Sequence, residues 1–106
     1  AKNICTNISF PDYENYTNFW YNERNVKKSI TYIFNIFYKG YSVMDILDNY
    51  FLFIKITDII PDNIKFRVIK IILKYIAIFH TEHEYNIELA FFTNDLIKNT
   101  KTMKTS

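Results

Sequence analysis

Glycine, cysteine and proline are scarce in this chain, whose 106 residues include one glycine, one cysteine and two prolines. One glycine cannot supply a P-loop or a dinucleotide-binding loop, because both need at least two glycines at fixed spacing. The lone Cys5 can form neither an internal disulfide nor a cysteine-rich zinc site, which favours a reducing compartment. Charged residues interrupt the apolar runs well short of the roughly 20 residues of a membrane helix, so we expect no membrane partner.

Aromatic side chains, in contrast, are abundant. Nine tyrosines, ten phenylalanines and one tryptophan make up 19% of the chain, and burial of large rings can stabilise a short domain without disulfides or metal. The formal net charge is +2, but it comes from the C-terminal Lys98, Lys101 and Lys104, and the rest of the chain is close to neutral. We therefore expect one compact core, and the overall charge does not indicate nucleic-acid binding.

The apolar residues recur with a helical period, which predicts an all-α fold, an antiparallel five-helix bundle. Asn25 and Ser42 are placed to cap the second and third helices, Gly40 to end the second, and Pro61 to open the fourth. We expect an irregular lead-in over 1–10, a helical domain over 11–98 and a flexible tail over 99–106. The predicted helices cover residues 11–23, 26–39, 43–57, 61–79 and 85–98.

The fourth helix has the clearest pattern of charge and hydropathy. Arg67, Lys70 and Lys74 share a narrow polar stripe that could lie along phosphates, although a solvated helix face explains it equally well. Nearby aromatic residues are expected on the apolar side, so contact with DNA is a secondary hypothesis. The predicted apolar face comprises Ile64, Val68, Ile69, Ile72, Leu73, Ile76 and Phe79.

Candidate catalytic and metal-binding groups are few. His80 and His83 flank a carboxylate, but a zinc site needs three or four ligands, and solvated turn residues are the favoured interpretation. Ser42 has no histidine at a recognisable spacing for nucleophilic catalysis. Two carboxylate pairs fall on polar helix faces, where capping and dipole roles explain them. These pairs are Asp45 with Asp48 and Glu84 with Glu88. We expect no enzyme activity, metal or cofactor in this segment.

Four apolar residues lie outside the predicted apolar faces of their helices. Leu52 and Ile56 lie one turn apart among polar residues of the third helix, and Ile87 and Phe91 lie off the apolar stripe of the fifth. Scattered exposure would explain the first pair, and cover by neighbouring helices would explain the second. With so many aromatic residues, a protein contact surface is the preferred interpretation, and these four residues are its candidates.

One segment resembles a known family. Residues 40–47 read Gly-Tyr-Ser-Val-Met-Asp-Ile-Leu, similar to the Gly-Tyr-Ser-x-x-Asp-Ile-Ile segment in the C-terminal domain of replication factor C small subunits, the sliding-clamp loader. A looser similarity of apolar spacing extends over about 3–98, and Val43 stands where family members often have proline. By this resemblance, Gly40, Tyr41, Ser42 and Asp45 form a structural corner.

The resemblance implies a collar domain. Family members are AAA+ ATPase subunits whose other domains hold ATP and Mg²⁺, and whose C-terminal helical domains join five subunits in a ring that loads the clamp onto DNA. This chain would be the collar portion, without cofactor, with other clamp-loader subunits as partners and self-association left open. The location implied is the nucleus, or a viral replication factory. The alternative is a freestanding helical adaptor or viral effector that binds a helix in a groove.

Overall fold

The computed structural model describes residues 10–81 and 87–105, with side chains for 10–78 and 87–100. Over these residues the chain forms five helices and no strand, which confirms the predicted all-α helical bundle. A π-helical stretch, Asn18–Asn22, continues the first helix. The helices are α1 (Phe10–Thr17), α2 (Val26–Tyr38), α3 (Val43–Ile56), α4 (Asp62–Thr81) and α5 (Ile87–Thr105).

The helix ends follow the predicted capping residues. The Asn25 side chain accepts a hydrogen bond from the backbone N–H of Lys28, and the Ser42 hydroxyl accepts one from that of Asp45, each at 3.0 Å. Gly40 follows α2 with a φ of +113°, a conformation that side chains with a Cβ disfavour. The turn between α2 and α3 therefore contains a helix-ending glycine and a capping serine, at the positions that the sequence predicted.

Replacing Gly40 by alanine should lower the free energy of unfolding by about 1–2 kcal/mol, because the cost is conformational. No atom lies within 4 Å of the position that the added Cβ would occupy, so no clash contributes. Urea unfolding followed by circular dichroism measures the change. Lys39→Ala is the matched control, since Lys39 has an ordinary φ of −75° and its side chain is exposed. An equal loss in both variants would contradict this explanation.

The core is rich in aromatic rings whose polar atoms are paired. The buried Tyr50 hydroxyl accepts a hydrogen bond from Trp20 Nε1 at 2.8 Å and shares another with the Thr17 hydroxyl at 2.7 Å. Tyr13 Oη donates to the Ile46 carbonyl at 2.8 Å. Burial raises the pKa of the Tyr13 and Tyr50 hydroxyls well above the ordinary value, so they stay protonated. These bonds join α1 and its π-helical continuation to α3.

The fifth helix extends past its predicted end near residue 98. α5 reaches Thr105, so the tail predicted over 99–106 includes helical residues. Thr100 is fully buried, donates to the Leu96 carbonyl at 2.7 Å and accepts from Arg24 Nη1 at 2.9 Å. The polar composition after Lys98 gave no sign of this contact, because its partner lies far away in the sequence. Residues 1–9 of the predicted lead-in lie outside the described residues, and Phe10 begins α1.

The buried face of α4 differs from the predicted one at Leu73 and Tyr75, and the predicted Ile69 and Ile76 are partly buried. Ile64, Val68 and Ile72 are buried as predicted, but Leu73 is 49% exposed and Tyr75 is buried instead. The two neighbours of α4 set this orientation, because Tyr75 packs its ring against Phe92 of α5 at 5.5 Å. Leu73 points about 100° away from Ile72 around the helix and leaves the core. Phe79 lies outside the residues whose side chains are described.

Candidate interaction surfaces

The outer side of α3 carries two exposed apolar residues. Leu52 is 51% and Ile56 is 64% exposed, whereas Tyr50, Phe53 and Ile54 on the inner side are buried. The four-residue spacing places Leu52 and Ile56 on one face, one turn apart. The structure therefore exposes this predicted pair.

Phe10 adds a ring beside the same end of α3. Its ring packs edge-on against Phe53 with centroids 5.5 Å apart, and it is still partly exposed. Phe10 and Ile56 line one shallow depression, together with the exposed carboxylates of Glu14 and Asp58. We call Phe10, Leu52 and Ile56 the α3 patch. No pattern in the sequence indicated Phe10, because it fell at the end of the predicted lead-in.

The second predicted pair is exposed on a different helix. Ile87 and Phe91 of α5 are 50% and 53% exposed, one turn apart on the side opposite Leu89 and Phe92. The stripe of Leu89, Phe92 and Leu96 is buried as predicted, and Tyr85 lies outside the described residues. α3 and α5 each pack against α4. The four candidate interface residues therefore form two pairs, one on α3 and one on α5.

The polar stripe of α4 lies beside an exposed aromatic ring. Arg67, Lys70 and Lys74 are exposed as predicted, but Phe66 is also 65% exposed, which corrects the expectation that aromatic residues near the stripe are buried. Lys70 Nζ lies 5.3 Å from the centroid of the Phe66 ring. The four-residue spacing of Phe66 and Lys70 places both on one helix face, so the sequence could have indicated that the ring lies beside the polar stripe.

A groove of about 820 Å³ runs along this face of α4 toward α5. At one end, Lys74 Nζ lies 3.6 Å from Asp95 Oδ2, and Tyr75 Oη donates to the same oxygen at 2.6 Å. Burial, and then the Asp95 carboxylate, raise the pKa of Tyr75, which keeps its hydroxyl a donor. The groove is lined by Asp62, Asn63, Phe66, Arg67, Lys70, Ile71, Lys74 and Asn99.

The described residues contain no cluster suited to bind a metal. No three His, Cys, Asp or Glu side chains among them come together as a metal-binding group. The side chains of His80, His83 and Glu84 lie outside the described residues, so the prediction for that segment is untested. None of the helices in the described part of the chain is long and apolar enough to cross a membrane.

No protein-family model, curated protein or solved structure matches this chain.

Proposed function

We propose that this chain is a protein-assembly domain whose α3 patch docks onto a helical domain of a neighbouring subunit. The observation that carries the proposal is the exposure of Leu52 and Ile56 on a helix whose opposite side is fully packed. A lone exposed leucine is ordinary on a protein surface. Two exposed apolar residues one turn apart, next to a partly exposed phenylalanine, form a small apolar surface that association would remove from water.

The charge around the α3 patch specifies the partner. Glu14 and Asp58 lie beside Phe10 and Ile56 in the depression at the end of the helix. The exposed Lys55 lies with its Nζ 5.1 Å from the centroid of the Phe51 ring. A docking surface that places apolar side chains on the patch and Lys or Arg opposite these carboxylates would be complementary to it. The partner should therefore be a helical surface with apolar residues and a basic rim.

The finer proposal is that the assembly is the collar of a sliding-clamp loader. It rests on the resemblance of residues 40–47 to the small-subunit corner, and this corner leads directly into the helix that carries Leu52 and Ile56. The capping bond from Asp45 to Ser42 fixes the start of that helix. In this proposal the chain contributes binding between subunits, and ATP hydrolysis belongs to other domains of the ring.

The double variant Leu52→Asp/Ile56→Asp tests the proposal. We expect assembly with coexpressed clamp-loader small subunits, measured by sedimentation velocity, to weaken at least about 30-fold, as for the loss of an interface hot spot. The control is Leu73→Asp, which introduces one of the two added charges at a leucine of similar exposure on α4. Circular dichroism checks that both variants are folded. Unchanged assembly of the folded double variant would contradict the proposal, and so would an equal loss in the control.

A further inference from the structure

The exposed face of α4 combines cations with an aromatic ring, and the assembly function does not use it. We propose that this face binds single-stranded nucleic acid, with cations on the phosphates and the Phe66 ring stacked on a base. We call it the α4 groove and define its contact residues as Asn63, Phe66, Arg67, Lys70 and Lys74. The proposal is independent of the α3 patch, whose residues belong to α1 and α3.

The charge of the α4 groove favours an anionic ligand. Arg67, Lys70 and Lys74 are exposed along one side of the helix, and Asp62 is the carboxylate among the described lining residues. Asp95 lies beyond the lining and offsets part of the Lys74 charge at 3.6 Å. Arg67 and Lys70 are therefore the main anchors for phosphates, Lys74 is a weaker one, and the Asn63 amide can add a neutral donor.

The spacing of the cations suits an extended ligand. Arg67 and Lys74 are seven residues apart, which corresponds to about 10 Å along a helix at 1.5 Å per residue, with Lys70 between them. A row of this kind follows a chain of phosphates, whereas a compact anion would need the cations to converge on one point. The open groove of about 820 Å³ extends along the same row.

The Phe66 ring distinguishes a single strand from other polyanions. It is 65% exposed, with the Lys70 ammonium 5.3 Å from its centroid. An acidic peptide would pair with the cations and leave the ring in water, and the bases of a duplex are already stacked on each other. Unpaired bases stack on exposed aromatic rings next to cations, which is how sequence-tolerant single-strand binding surfaces work. The ring therefore favours a single strand.

Fluorescence anisotropy with a labelled 20-nucleotide oligothymidylate, titrated with the whole 106-residue chain at low salt, tests the cations. With about three phosphate contacts, the logarithm of affinity should fall with the logarithm of salt with a slope of about −2. Arg67→Gln/Lys70→Gln should weaken binding at least about tenfold and reduce the slope to about −0.7. The control Lys27→Gln/Lys55→Gln removes two exposed cations from α2 and α3, and should keep most of the affinity.

A second variant tests the ring. Phe66→Ala should weaken binding about tenfold and leave the salt slope unchanged, because stacking releases no counterions. The same titrations with a duplex of equal length and with polyglutamate identify the ligand class. Tighter binding of either probe, an equal loss in the Lys27/Lys55 control, or no binding at low salt would overturn the proposal. Leu52→Asp/Ile56→Asp should bind the oligonucleotide normally, so failure of the nucleic-acid proposal can be distinguished from failure of the assembly proposal.

Discussion

Replacing Trp20 by alanine should lower the free energy of unfolding by about 3–5 kcal/mol, the range for loss of a buried aromatic side chain. Trp20 is fully buried in the π-helical stretch, with its ring 5.7 Å from that of Tyr21 and its Nε1 donating to Tyr50 Oη at 2.8 Å. For a domain of this size such a loss lowers the melting temperature by more than about 12 °C. Thermal and urea unfolding, followed by far-UV circular dichroism, measure both quantities.

Trp20→Phe separates the indole N–H from the ring. It keeps most of the apolar area but removes the donor to the buried Tyr50 hydroxyl, so we expect a smaller loss of about 1–2 kcal/mol. Leu52→Ala, at an exposed apolar position, should change the free energy of unfolding by no more than about 0.5 kcal/mol. A Trp20→Ala variant as stable as the Leu52→Ala control would mean that the ring does not lie in the core.

Replacing Arg24 by alanine should lower the free energy of unfolding by about 2 kcal/mol, because charged hydrogen bonds to α5 are lost. Arg24 Nη1 donates to the Ile97 carbonyl at 3.2 Å and to the Thr100 hydroxyl at 2.9 Å, and Nη2 donates to the Thr100 carbonyl at 3.3 Å. These bonds connect the segment between the π-helical stretch and α2 to the C-terminal half of α5. Amide hydrogen exchange should therefore quicken around Thr100 more than in α3.

Arg24→Gly is the matched control for the backbone. Arg24 has a φ of +57°, which costs about 1–2 kcal/mol for a residue with a Cβ. The glycine variant loses the same hydrogen bonds but relieves this strain, so it should be more stable than Arg24→Ala by about 1 kcal/mol. Equal stability of Arg24→Ala and the unmodified chain would show that the bonds to α5 contribute nothing.

The period of the apolar residues was sufficient to predict the five helices. Asn25 and Ser42 cap their helices with side-chain oxygens, and Gly40 follows α2 with positive φ, because these interactions involve residues within four positions of each other. The same helical period predicted that Leu52 and Ile56 are exposed, since an apolar residue among polar neighbours on a helix points away from the core. Whether they bind a partner stays a prediction.

The features that the sequence did not predict depend on contacts between distant segments. Sequence spacing put Leu73 in the core, but packing of Tyr75 against Phe92 turns α4 so that Leu73 and Phe66 face outward. Beyond the predicted end of α5, Thr100 likewise contacts Arg24, which lies 76 positions before it. The amino-acid sequence alone determined the helices and the boundaries between α2 and α3, because the hydrogen bonds that form them are local. Tertiary structure alone decided which borderline apolar residues are exposed, because a helix with apolar residues on more than one side is oriented by its neighbours.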